Sequence, residues 1–199
     1  MCDLFAFMED SMDKSQKPQF YYNTNKFSNT AFDIIKTIIF VFAIVSVLFT
    51  YFIRDANVVG SSMAQTLLNG DKVLLTNFNY KPKTGDIIAA NAESLPEKRI
   101  IKRVIATEGQ ALEIDYDTGK VYVDGILLDE DYTSTITRQS SNEYKFPYVI
   151  PDDCIFVMGD NRAVSLDSRD AKLGLISEDD VIGKAQFIFY PFERFTYLY

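Results

Sequence analysis

The chain has 199 residues, of which 28 are acidic and 20 are Lys or Arg, giving a formal charge of -8 with no histidine. That balance argues against nucleic acid as a partner, since phosphate binding needs clustered Lys and Arg; two cysteines without histidine cannot complete a zinc site, so neither metal nor cofactor is expected. With 47% hydrophobic and 14% aromatic residues, the chain can bury one substantial core of ordinary domain size.

Residues 1–33 mix Asp, Lys, Ser and Asn with aromatics and show no period, which predicts a flexible tail. The run 37–53 carries no charge, and Ile34 and Ile35 extend it if Lys36 snorkels toward lipid headgroups. It is apolar all round, unlike a core helix with a polar stripe, and no small-x-small cleavage site precedes Arg54. One transmembrane helix over 34–53 is therefore predicted. Lys14, Lys17, Lys26 and Lys36 precede the span and only Arg54 closely follows it. By the positive-inside rule the N-terminus is cytoplasmic, and residues 54–199 form an extracellular domain at the cell membrane. Cys2 and Cys154 fall on opposite sides of the span, so no disulfide is expected, and Cys154 reads as a small core residue.

Beyond residue 57 the pattern is that of strands. Segments 58–59, 72–78, 86–91, 99–107, 112–115, 121–123 and 181–190 are short and rich in β-branched and aromatic residues. Turn signals such as Asn69-Gly70-Asp71, Thr84-Gly85-Asp86 and Asp124-Gly125 separate them. The fold class is mainly β, with a small hairpin-rich insertion at about 107–151. Aromatic residues between 187 and 199 fit the alternation of a last strand, and they could also touch a lipid interface.

Three segments carry candidate chemistry. In Val58-Val59-Gly60-Ser61-Ser62-Met63, a glycine permits a tight turn and close approach by a substrate backbone; serines after glycine also commonly cap turns. In 99–105, period-two alternation places Lys102 on one face with Ile100 and Val104, and Arg103 on the other. A lysine among branched apolar residues loses solvation, which disfavours its ammonium form and makes it a candidate base; a strand lysine can instead snorkel to water. The third segment, 159–169, is a polar loop bearing Asp160, Arg162, Ser165, Asp167 and Arg169 behind an apolar strand at 155–158. By itself it reads as a solvated turn with surface ion pairs. With no histidine present, a serine nucleophile must give its proton to another base, and a neutral lysine can serve.

Taken together, the three segments closely resemble the bacterial type I signal peptidases, over about 58–192. Ser62-Met63 with Thr66-Leu67 and Gly70-Asp71 resembles that family's nucleophile box, Lys102-Arg103 its lysine box, and Gly159-Asp160-Asn161-Arg162 with Ser165, Asp167-Ser168-Arg169 and Gly174 its C-terminal box. The resemblance implies a signal-peptidase-like β-fold domain that removes signal peptides at small-x-small sites with Ser62 as nucleophile and Lys102 as general base. It implies that Ser165 orients the lysine, that Asp167 and Arg169 pair behind the site, and that Asp160, Arg103 and Gly60 support it. A single anchor and short insertion resemble the Gram-positive branch. Implied partners are secretory preproteins, membrane lipid and the protein export machinery.

Gln65 stands where the family usually has proline, and Val164 where asparagine is common. Gly60 occupies a position where the family often places an oxyanion-binding serine, so the hole would rest on main-chain N–H groups, Ser62 N–H first. Two other readings stand beside this one. A membrane-anchored, non-enzymatic relative that assists assembly, for example of pili, would not need Ser62, Lys102 and Ser165 together. A self-cleaving serine/lysine repressor would carry a basic DNA-binding domain in place of the apolar run.

Overall fold

The structure, a computed structural model, describes residues 20–198 apart from 96–97, 134 and 142–143. Residues 1–19 of the expected tail, Cys2 and Tyr199 lie outside the described residues. The chain divides into two compact units, 1–48 and 49–199.

The first unit holds helix α1, Phe20–Phe52, which continues into the start of the second. The tail predicted over 1–33 is thus helical from Phe20 onward, a correction with a simple cause. No Pro or Gly occurs between Pro18 and Phe52, so a helix nucleated by the apolar run propagates backward without a breaker. Within it, Thr30–Val47 has a mean hydropathy of 2.1 and no buried residue. Ile38, Ile39, Phe40 and Phe42 are all exposed, an all-round apolar surface on a helix long and apolar enough to cross a membrane.

The second unit is built from strands β1 (Ile53–Asn57), β2 (Lys72–Thr76), β3 (Ile87–Ala92), β4 (Lys98–Thr107), β5 (Ala111–Asp115), β6 (Lys120–Val123), β7 (Ile126–Leu127), β8 (Tyr148–Val149), β9 (Cys154–Met158), β10 (Ile176–Ser177), β11 (Val181–Tyr190) and β12 (Thr196–Tyr197). The larger sheet runs β1-β2-β11-β3-β4-β9-β10 with β12 also on β11, and all its pairs are antiparallel. A second sheet, β7-β6-β5-β8, falls within 111–149. The fold is mainly β, as the pattern of strand segments and turns predicts. The strand expected at 58–59 lies instead at β1, where pairing with β2 from Ile53↔Thr76 to Asn57↔Lys72 overrides the poor strand propensity of Arg54, Asp55 and Asn57.

Two features of this architecture position the chemistry. In the register of β3 and β4, Lys102 stands opposite Ile88 and Arg103 opposite Ile87, so neighbouring residues project to opposite faces. One core cluster joins Val58, Met63 and Leu67 to Val73, Leu75 and Ile188. Met63 and Leu67 are 2% and 0% exposed; burial of two such side chains contributes about 1.5–3 kcal/mol each and anchors the short turn that carries Ser62.

Candidate active site

The serine turn is fastened at both ends. Val58 N–H donates to Asp71 O (2.8 Å) and Gly70 N–H to Val58 O (2.9 Å), closing the 58–71 loop at its base. The Asp71 carboxylate accepts from Leu68 N–H (2.8 Å) and from Arg194 Nε and Nη2 (3.0 Å each). Gly60 has φ +89° and donates its N–H to Asn69 Oδ1 at 3.0 Å, a left-handed conformation in which a side chain would be strained. Gln65 has φ +91°, which a proline ring, held near -65°, could not adopt; the turn after Met63 therefore differs from the one that the resemblance led us to expect.

Lys102 is 5% exposed, and its Nζ lies 2.7 Å from Ser62 Oγ. The strand lysine does not reach for water: it spends its length crossing the interior to the serine.

The 159–169 loop closes over this pair. Asn161 N–H donates to Ser62 O (3.0 Å) and Asn161 Nδ2 to Ser61 O (3.1 Å), clamping the main chain of Ser61 and Ser62. A Cβ on Gly159 would lie 2.4 Å from Ser62 O and 2.3 Å from Ser165 Oγ, so only glycine permits this approach. The Ser165 hydroxyl is buried and has no hydrogen-bond partner among the described residues. The bond to the lysine that the resemblance implies is therefore not formed in this structure. Ser165 packs against the Gly159 α-carbon, while the amine is directed at Ser62.

The charged residues of the loop are not a solvated turn. Asp160, Arg162, Asp167 and Arg169 are at most 3% exposed. Asp167 accepts from Arg169 Nε and Nη2 (2.8 Å each) and from Gly159 N–H (3.0 Å). Asp160 receives Arg103 Nε (2.8 Å) and Nη2 (2.7 Å) as a bidentate pair, and Thr66 Oγ1 at 2.6 Å. That carboxylate thus ties β4, the serine turn and the loop at one point. Ion pairs this deep persist only when their remaining donors and acceptors are satisfied, and Arg103 Nη1 is taken up by Gly85 O at 2.8 Å.

Sequence reasoning missed the partners from the segment after β7. Glu130 pairs with Arg162 Nη2, Thr137 Oγ1 accepts from Arg162 Nη1 at 2.5 Å, and the Tyr132 ring lies 3.9 Å from the Arg103 guanidinium carbon. Burial, then the nearby Glu130 charge, holds the Tyr132 phenol well above its ordinary range, so it stays protonated. A charge count gave no signal for them, because Asp71, Asp160 and Asp167 match Arg103, Arg162 and Arg169 in number within the three boxes, while Asp71 is taken by Arg194. Cys154 is half-buried, and burial together with Asp153 pushes its thiol up, which fits a packing role rather than a reactive thiolate.

A family model described as signal peptidase, peptidase S26, matches residues 31–190. Signal peptidase I of Bacillus amyloliquefaciens is 30% identical over 191 residues, covering 91% of this chain and 96% of that protein. Signal peptidase I T of Bacillus subtilis (strain 168) is 34% identical over 145 residues, covering 68% and 72%. A solved signal peptidase I from Enterococcus faecalis V583 covers 53% of this chain and 97% of its own at 30% identity, with a TM-score of 0.42.

Proposed function

The chain belongs to the signal peptidase family, peptidase S26, and on that premise we propose that it is a membrane-anchored serine endopeptidase that removes signal peptides from exported preproteins with a Ser62–Lys102 dyad. The observation that carries this reading is the 2.7 Å contact between Lys102 Nζ and Ser62 Oγ in a chain without histidine.

In this mechanism neutral Lys102 accepts the Ser62 hydroxyl proton as Oγ attacks the scissile carbonyl. The ammonium so formed passes that proton to the leaving amine, giving an ester on Ser62 and a free amino terminus. Lys102 then deprotonates a water that attacks the ester, and the signal peptide leaves as a carboxylate. Ser62 N–H, which donates no hydrogen bond among the described residues, supplies the oxyanion donor. Asp160 with Arg103, and Asp167 with Arg169, hold the loops that set the distance between nucleophile and base. Ser165 fixes the Gly159 main chain by packing.

Substrates are preproteins with small residues at the cleavage site and three positions before it, delivered by the export machinery. Helix α1 anchors the enzyme, with its N-terminal end cytoplasmic and residues 54–199 outside. Exposed Phe192, Phe195 and Tyr197 support contact of the catalytic unit with membrane lipid. Incubating the full-length protein in detergent with a peptide spanning an Ala-x-Ala site tests the function. Product masses locating the cut directly after the second alanine are expected; an uncut peptide would favour the non-enzymatic assembly role.

A further inference from the structure

The Arg103–Asp160 pair touches all three parts of the site. Arg103 follows Lys102 in β4, Asp160 sits between Gly159 and the Asn161 that clamps Ser62, and Thr66 of the serine turn donates to the same carboxylate. The two side chains are 5% and 0% exposed. The guanidinium edge is filled by Asp160 and Gly85 O, but hydrogen bonds in its plane leave its faces uncovered. Tyr132 covers one face at 3.9 Å. Its hydroxyl donates to Glu130 (3.1 Å), Glu130 pairs with Arg162, and Arg162 Nε donates to Gly159 O (3.1 Å). The ring therefore rests on the strand of the base, and its hydroxyl is linked to the loop that abuts the nucleophile.

We infer that Tyr132 is a positioning residue for the Ser62–Lys102 pair, acting by stacking on Arg103 and closing the Arg103–Asp160 ion pair to water. This rests on the dyad reading above. Nothing in the proton transfers calls for an aromatic residue at 132, in a segment without helix or strand; its place is accounted for by the guanidinium that it covers. Cation–π contact strengthens as its site is desolvated. Without the ring, water reaches the guanidinium, the ion pair relaxes, and β4 is free to move against the 159–161 loop. The 2.7 Å contact is where that movement is felt.

The test uses the full-length chain in detergent and an Ala-x-Ala peptide, with kcat and KM measured per folded molecule and thermal unfolding followed in parallel. Tyr132→Phe keeps the ring and should retain kcat within about threefold. Tyr132→Met fills the volume without a π face, and should lose about 10- to 100-fold in kcat with KM little changed, as for a small misplacement of reacting groups. Tyr132→Gln serves the same comparison if the methionine variant does not fold. A lowered Tm with unchanged kcat in the non-aromatic variants would mean a merely structural ring and overturn the inference; so would equal losses in the Phe and Met variants. Ser62→Ala is run alongside. An active Ser62→Ala would sink the dyad reading itself, whereas an inactive one beside a fully active Tyr132→Met sinks this inference alone.

Discussion

Gly159→Ala adds one carbon beside Ser62, and its consequence can be worked from distances. The new Cβ would stand 2.3 Å from Ser165 Oγ, 2.4 Å from Ser62 O and 2.6 Å from Ser165 Cβ. Favourable heavy-atom contacts begin at about 3.5 Å, so its neighbours must retreat by about 1 Å. Ser165 can rotate its hydroxyl away. Ser62 O cannot, because it is an atom of the main chain that Asn161 N–H holds at 3.0 Å. Gly159 does not occupy the left-handed region, so alanine meets no backbone penalty and the effect is steric. Moving the Ser62 peptide by that amount takes Oγ out of line with Lys102. A 1 Å misplacement costs about 100-fold in rate, while overpacking one methyl costs about 1–3 kcal/mol of stability. We expect kcat/KM on an Ala-x-Ala peptide to fall about 100-fold in a protein that still unfolds cooperatively. Activity within about threefold of the parent would show that the Ser62 carbonyl is not held as argued.

Asp167→Asn leaves the buried Arg169 guanidinium without its counter-charge and should cost about 3–5 kcal/mol, read as a fall in Tm on the order of 10 °C; an unchanged Tm would refute the pair's structural role. Single-turnover cleavage should rise with pH along one limb as the base loses its proton and be lost as pH falls through that limb, because a protonated Lys102 cannot accept the Ser62 proton. A flat profile would contradict a lysine base. Protease added to intact spheroplasts should digest residues 54–199 and spare an N-terminal tag; the reverse pattern would refute the orientation.

The parts of this molecule legible from sequence are those in which local pattern and tertiary demand agree. β11 spans the predicted 181–190, and β4 begins one residue before the predicted 99–107, because both are long and β-branched. The opposed directions of Lys102 and Arg103 follow from strand period alone. β1 was not legible, since Arg54, Asp55 and Asn57 are extended only through pairing with β2. Nor were Glu130, Tyr132 and Thr137, which sit in an irregular segment and meet Arg103 and Arg162 across 25 to 32 residues of chain. The burial of the 159–169 charges was concealed for the same reason. A loop of Asp and Arg looks solvated until the acids and donors that neutralise it arrive from elsewhere.

The most direct test of the dyad is single-turnover cleavage of an Ala-x-Ala peptide by the full-length protein and three variants, with products identified by mass. Ser62→Ala and Lys102→Met should each abolish cleavage while unfolding as the parent does, because each removes one half of a single proton transfer. Ser61→Ala should retain substantial activity. An active Ser62→Ala, or a Lys102→Met that cleaves at the parent rate, would contradict the assignment of nucleophile and base.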